Sequence, residues 1–325
     1  MRGSPMRRTG AILIVILACG LFIYSLSRVG AADLATGFRQ IGWGLPLILL
    51  VSGARLVART FAWRALLATP PPARAMLEAT LAGEAVGNLV PLGPLAGEPA
   101  KIAYLRGRHD ITGTAAALGL ENVFYSLTIA SVIVAGMSLL VLTVALPDEL
   151  WTIAAVAVVA MLGLVAGILY VLMRRPADAG SILDRLPSWL PAARLRALET
   201  KAYAFYASTR GRLGRMFACE ALFHVFGVAE VYIVLWLLAG APPSLADAFI
   251  LESAGRVINV AFRFVPMRVG VEEVGSEAVA SVLGLATGTG VLLGLTRKVR
   301  VIIWTALGVI VIIRRGLSLR SLSNS

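Results

Sequence analysis

Residues 81–106 read Leu-Ala-Gly-Glu-Ala-Val-Gly-Asn-Leu-Val-Pro-Leu-Gly-Pro-Leu-Ala-Gly-Glu-Pro-Ala-Lys-Ile-Ala-Tyr-Leu-Arg. The stretch sets out as a membrane helix that cannot continue. Glu84 and Asn88 are four apart and share one helix face. Pro91, Gly93, Pro94, Gly97 and Pro99 then fall within nine positions. Proline removes a backbone donor and clashes with the preceding turn, so no continuous helix passes through. A new helix is expected from Glu98, with Pro99 in its first turn, where a missing N–H costs nothing. In lipid, such a break survives only when it is buried in protein or lines a wet cavity. Broken helices with polar groups at membrane depth are a recurrent way of building transporter sites. An ordinary Pro/Gly loop between two spans is the plainer reading, and Glu84 and Asn88 weigh against it.

Composition sets the environment. Of 325 residues, 58% are hydrophobic and 15% charged, and mean hydropathy is +0.83. That excess of apolar sequence suits an all-α, polytopic membrane bundle and not a pair of soluble domains. Cys19 and Cys219 each stand in an apolar run, and His109 and His224 lie far apart. Neither a metal site nor a disulfide framework is expected from them. No Gly-x-x-x-x-Gly-Lys-Ser/Thr loop occurs, so no nucleotide or other cofactor is expected.

In chain order, residues 10–27 follow Arg2, Arg7 and Arg8 and predict an uncleaved first span with its N-terminus inside. Residues 42–67 predict the second. Its far half carries Arg55, Arg59 and Trp63 on one stripe, with Arg64 beyond. Snorkelling to the inner headgroups is the plainer account of these arginines. The alternative turns Arg55 and Arg59 inward to contact a phosphate. Residues 75–108 form the broken element, flanked on both sides by basic residues, as a re-entrant pair entering and leaving from one side would be. Residues 111–146, with Glu121 and Asn122, and residues 150–173 predict two more spans around a Pro147-Asp148-Glu149 turn.

Residues 174–215 are the longest polar segment, with nine basic residues against Asp178, Asp184 and Glu199. Interleaved leucines and Trp189 predict amphipathic helices on an anionic inner leaflet. Residues 216–241 predict a span holding Glu220, His224 and Glu230, with Glu220 and His224 placed to pair. Residues 248–286 are a second irregular element, interrupted at Pro266 and Gly270, where Arg256, Arg263 and Arg268 nearly balance Glu252, Glu272, Glu273 and Glu277. Pairing in a buried site is expected of such a set. Residues 287–313 predict the last span, with Arg297, Lys298 and Arg300 partway along.

Lysine and arginine mark the cytoplasmic side. With the N-terminus inside, 22 of the 30 basic residues fall in inner segments, and Arg28 and Arg39 fall in outer ones. This bias accounts for the net charge of +12 without nucleic acid. The expected organisation is one transmembrane domain over 1–325: a first half (1–173), a cytoplasmic linker (174–215) and a second half (216–325). It holds about six full spans and two re-entrant broken-helix pairs, the second entering from outside, an inverted arrangement with both termini cytoplasmic.

The motifs resemble a known family. Gly87-Asn88-Leu89-Val90-Pro91 followed by Gly97-Glu98 resembles the first signature of the flippase-like proteins, which include the transmembrane region of lysylphosphatidylglycerol synthases. Arg59 with Trp63-Arg64-Ala65-Leu66-Leu67 resembles the second-span pattern. Phe264-Val265-Pro266-Met267-Arg268-Val269-Gly270-Val271-Glu272-Glu273 resembles the second signature. There the family more often has Pro-x-x-Gly-Gly-x-Gly-x-x-Glu, and the departure at Arg268 bears on the headgroup. With the run from Arg297 to Ala306, this variant is most similar to a branch associated with hopanoid biosynthesis. The resemblance implies a multi-pass protein of the bacterial inner membrane that moves a lipid, hopanoid or of glycero- or polyprenyl type, between leaflets. The synthase domain of full-length relatives, and with it aminoacylation, is not expected.

On that reading a headgroup passes a pathway of Glu84, Asn88, Glu98, Asn259, Arg263, Arg268, Glu272 and Glu273, with Arg55, Arg59, Arg297, Lys298 and Arg300 as phosphate contacts. Partners are membrane lipids and anionic inner-leaflet headgroups. The alternative is a non-transporting scaffold for lipid-biosynthetic enzymes, docking through residues 174–215. An intramembrane enzyme using Glu272 and Glu273 is a third reading. No catalytic triad or metal constellation accompanies that pair, so the chain is expected not to be an enzyme.

Overall fold

A computed structural model describes residue 23 and residues 31–89, 93–106, 111–173, 205–263 and 265–316. The expected first span and most of the linker lie outside the described residues, as do Val90, Pro91 and Leu92. The described chain is all-helical. Its helices are α1 (Ala31–Ile41), α2 (Leu45–Ala65), α3 (Ala73–Leu89), α4 (Gly93–Leu105), α5 (Ile111–Thr143), α6 (Asp148–Met173), α7 (Leu213–Ala239), α8 (Leu245–Ala261), α9 (Val271–Val282) and α10 (Thr289–Arg314).

Four helical stretches are long and apolar enough to cross a membrane: Ala35–Ala65, Ile111–Thr143, Asp148–Met173 and Phe205–Ala239. The outward faces carry the apolar surface. On α6, Trp151, Val156, Val159, Leu162 and Val171 are all exposed, as befits a helix facing lipid tails. Charge is drawn inward instead, and α10, although 26 residues long, carries Arg297, Lys298 and Arg300 along its length.

Several boundaries differ from the sequence reading. Residues 31–41, expected in an outer loop, form α1, which runs through a 3-10 turn at Gly42–Gly44 into α2. The end of the polar segment is helical from Phe205. There Arg212 donates from Nη1 to the carbonyl of Leu66 at 3.1 Å, tying α7 to the end of α2. After the first break the helix restarts at Gly93, not Glu98, so Pro94 takes the first turn and Pro99 lies inside α4. A proline inside a membrane helix is tolerated where neighbouring elements supply the lost contacts. Here α3 packs tightly on α4, and a Cβ on Gly97 would come within 2.7 Å of the Gly83 carbonyl oxygen.

The second break separates α8 from α9. Across it Pro266–Arg268 forms a 3-10 turn, and Met267 (φ 48°), Arg268 (φ 53°) and Gly270 (φ 83°) are left-handed. Helix α10 packs against both α3 and α9, so one element joins the two broken ones. The largest apolar cluster lies among α5, α7, α8 and α9, around Ile133, Met137, Val231, Leu251 and Val279. A second cluster, around Trp63, Met76, Val86 and Tyr104, fixes α3 and α4 against α2 and α10.

Candidate functional site

The helices on either side of the first break, and the second break itself, line one cavity of about 780 Å³. Its wall takes Glu84 and Asn88 from α3, Glu98 and Lys101 from α4, and Arg55 and Arg59 from α2. The second half contributes Glu252, Arg256 and Asn259 from α8, Arg263 and Arg268 from the break, Glu272 from α9, and Arg297, Lys298 and Arg300 from α10. Of the residues expected from sequence as headgroup pathway or phosphate contacts, all but Glu273 line this space.

Helix α2 brings two ionic clusters together because Arg55 and Arg59 are one turn apart. Around Arg59 stand the carboxylates of Glu98 at 3.3 Å, Glu121 at 3.4 Å and Glu84 at 3.8 Å. The guanidinium also donates to the Asn122 side-chain oxygen at 3.2 Å and lies over the Tyr125 ring, 4.0 Å from its centroid. Glu98 accepts from Lys101 at 2.8 Å and from Asn122 at 3.1 Å. The arginines that snorkelling would have sent to the headgroups are therefore turned inward. Charges in an apolar bundle are costly unless compensated, and pairing is the cheapest compensation.

The second cluster surrounds Glu252, which accepts from Arg256 at 2.8 Å, Arg297 at 2.9 Å and Arg55 at 3.4 Å. Small residues make room for it. A side chain on Gly227 would collide with the Glu252 carboxylate, and one on Gly255 with the Arg297 guanidinium. Glu230 on α7 accepts from Arg55 at 2.9 Å and Arg300 at 2.7 Å. Glu272 accepts from Lys298 at 3.0 Å and Arg297 at 3.5 Å, with Arg268 at 4.0 Å.

Adjacent carboxylates take different tasks. Glu273 lies off the cavity wall; it accepts from the Gly270 N–H at 2.8 Å and pairs with Lys298 at 3.0 Å. Its place in the expected headgroup pathway is corrected to a cap on α9. Glu277 accepts from the N–H groups of Gly288 at 2.7 Å, Gly290 at 2.9 Å and Val291 at 3.2 Å. The near balance of charge in residues 248–286 is thus only partly internal pairing, through Arg256 with Glu252 and Arg268 near Glu272. Most cationic partners come from α2 and α10, and one carboxylate serves backbone donors. Asn88 donates to the Thr305 hydroxyl at 3.0 Å, bridging α3 and α10. Asn259 donates to the carbonyl of Gly255 on its own helix at 2.7 Å.

Glu220 and His224, which their spacing allowed to pair, do not pair: no hydrogen bond or ion pair joins them among the described residues. Lys101, Asn122, Tyr125, Glu230, Glu252 and Arg256 belong to the site although the sequence-derived pathway omitted them. Their signal was available: each charged residue among them is an ionisable group in apolar helix, which marks a bundle interior.

Among known families, the chain matches the family model described as the lysylphosphatidylglycerol synthase TM region, over residues 10–308. No curated protein and no solved structure matches it.

Proposed function

Because the chain belongs to the family of the lysylphosphatidylglycerol synthase transmembrane region, membrane proteins of the flippase-like type, we propose that it is a lipid flippase of the bacterial inner membrane. The observation that carries this reading is the charged cavity lined by both broken elements, inside a bundle whose outer faces are apolar. A headgroup crosses through the polar space while its tail, hopanoid or of glycero- or polyprenyl type, stays in lipid. That division of labour resolves the main barrier to lipid exchange, the cost of carrying a charged headgroup through hydrocarbon. The re-entrant reading of α3–α4 and α8–α9 belongs to the same proposal, because opposed broken helices give access from either side in turn.

Glu272→Gln tests it. The exchange keeps side-chain volume but removes the charge that Arg297 and Lys298 face. The expected result in proteoliposomes is loss of lipid transfer with membrane insertion intact. Transfer at the wild-type rate makes the cluster structural and moves the reading to a scaffold.

A further inference from the structure

The cavity is not electrically neutral. Among the described residues, nine basic side chains line it against four carboxylates. Three further carboxylates reach lining cations from outside the wall: Glu121 to Arg59, Glu230 to Arg55 and Arg300, and Glu273 to Lys298. Two positive charges remain, and the contacts locate them. Arg263 makes no ion pair among the described residues. Among the described residues Arg268 approaches only one carboxylate, that of Glu272 at 4.0 Å, which Arg297 and Lys298 already share. The Arg268 Nε is buried without a hydrogen-bond partner among the described residues.

Both arginines lie in the break between α8 and α9, and the backbone adds an independent argument. Arg268 has φ 53°, a conformation that glycine adopts freely and a long side chain does not. Met267 shares it, at φ 48°, and backbone strain of this kind clusters at ligand sites and switch segments, where the surrounding structure holds it in place.

We propose that this cavity binds a phosphate-bearing, net-negative headgroup, with Arg263 and Arg268 as its contacts; that the phosphate belongs to a lipid rests on the flippase reading. Guanidinium is suited to this because its planar fork of donors matches phosphate oxygens. A cationic, aminoacylated headgroup meets the same two charges as repulsion.

The test uses the full chain in detergent and native mass spectrometry, with dioleoyl-phosphatidylglycerol, dioleoyl-phosphatidylcholine and inorganic phosphate as separate probes. The wild type is expected to retain phosphatidylglycerol over phosphatidylcholine by roughly tenfold or more, the value of one charge-assisted contact. Arg263→Gln and Arg268→Gly are each expected to reduce that preference several-fold. Arg268→Gly also relaxes the backbone, so its melting temperature is expected to stay level or rise while selectivity falls, which a purely structural arginine does not do. Arg268→Lys is expected to keep part of the preference. Equal retention of the two lipids together with no binding of inorganic phosphate overturns the proposal, as does a preference untouched in Arg268→Gly. Inorganic phosphate binding that Arg268→Gly abolishes, without lipid preference, keeps the anion site but makes its source soluble, and then the flippase reading fails. Lipid transfer without headgroup preference leaves the flippase reading standing and removes this one.

Discussion

Glu272 and Glu273 show how one position along a helix changes what a carboxylate does. Neighbouring side chains diverge by about 100°, so Glu272 faces the cavity while Glu273 turns back to the Gly270 N–H. Charge in the first turn after a Pro/Gly interruption was legible from sequence, and so was the divergence. Lys298 pairs with both at 3.0 Å, so what separates them is the Gly270 N–H that holds Glu273 back on its own helix end; Glu272, which matches the Gly-x-Glu of the second signature, is the one left on the cavity wall. Glu273→Ala is expected to cost about 1–2 kcal/mol, the scale of a lost helix cap, read as a lower melting temperature in detergent. Lipid transfer below that temperature should persist, the opposite of the outcome expected for Glu272→Gln. Glu220 and His224 carry the complementary lesson. Their i, i+4 spacing permitted a pair, but spacing on one helix does not decide which way either side chain is drawn by its neighbours.

At the scale of elements, the apolar runs located α2, α5, α6 and α7 within a few residues, because a run long enough to span lipid leaves few alternatives. Pro266 and Gly270 located the second break for a similar reason: proline and glycine act on the backbone wherever they stand. The restart of α4 at Gly93 was not legible. It depends on the approach of α3, where Gly83 and Gly97 bring two backbones into contact. The joining role of α10 was equally hidden, although its charges were evident. Where α10 crosses α3, a side chain on Gly308 would meet the Leu81 carbonyl oxygen and the Ala85 methyl group. Gly308→Leu is therefore expected to separate the helices and destabilise the protein by about 1–3 kcal/mol, the range for overpacking a filled interface. A thermal melt in detergent measures it. Because Gly308 does not line the cavity, headgroup preference in the surviving folded fraction should be unchanged, which separates a packing defect from a site defect.

For the whole molecule the decisive property is orientation, and it is carried by charge that lies largely outside the cavity. The nine basic residues of segment 174–215 and the three that follow residue 313 sit at the ends of apolar stretches. Clusters of that kind resist translocation, so the cytoplasmic side is where both segments are expected. The six cavity cations in residues 248–313 stand outside that count, and most of the cavity cations are neutralised by carboxylates. A paired charge inside a bundle reports the site and not the topology. Applying the rule to every lysine and arginine alike would blur the signal, and excluding the six in residues 248–313 sharpens it. Reporter fusions at Arg196 and at Ser325 are expected to read cytoplasmic. A fusion at Pro147, in the turn between α5 and α6, is expected to read periplasmic, since the intervening helices are uncharged over most of their length. If Arg196 and Ser325 report opposite sides, the second half crosses the membrane one time more or fewer than the inverted arrangement requires. The two broken elements then no longer oppose one another across the cavity, and alternating access through it loses its structural basis. If both report the cytoplasm, the headgroup path through the cavity has one broken element on each side, the geometry that moving a lipid between leaflets needs.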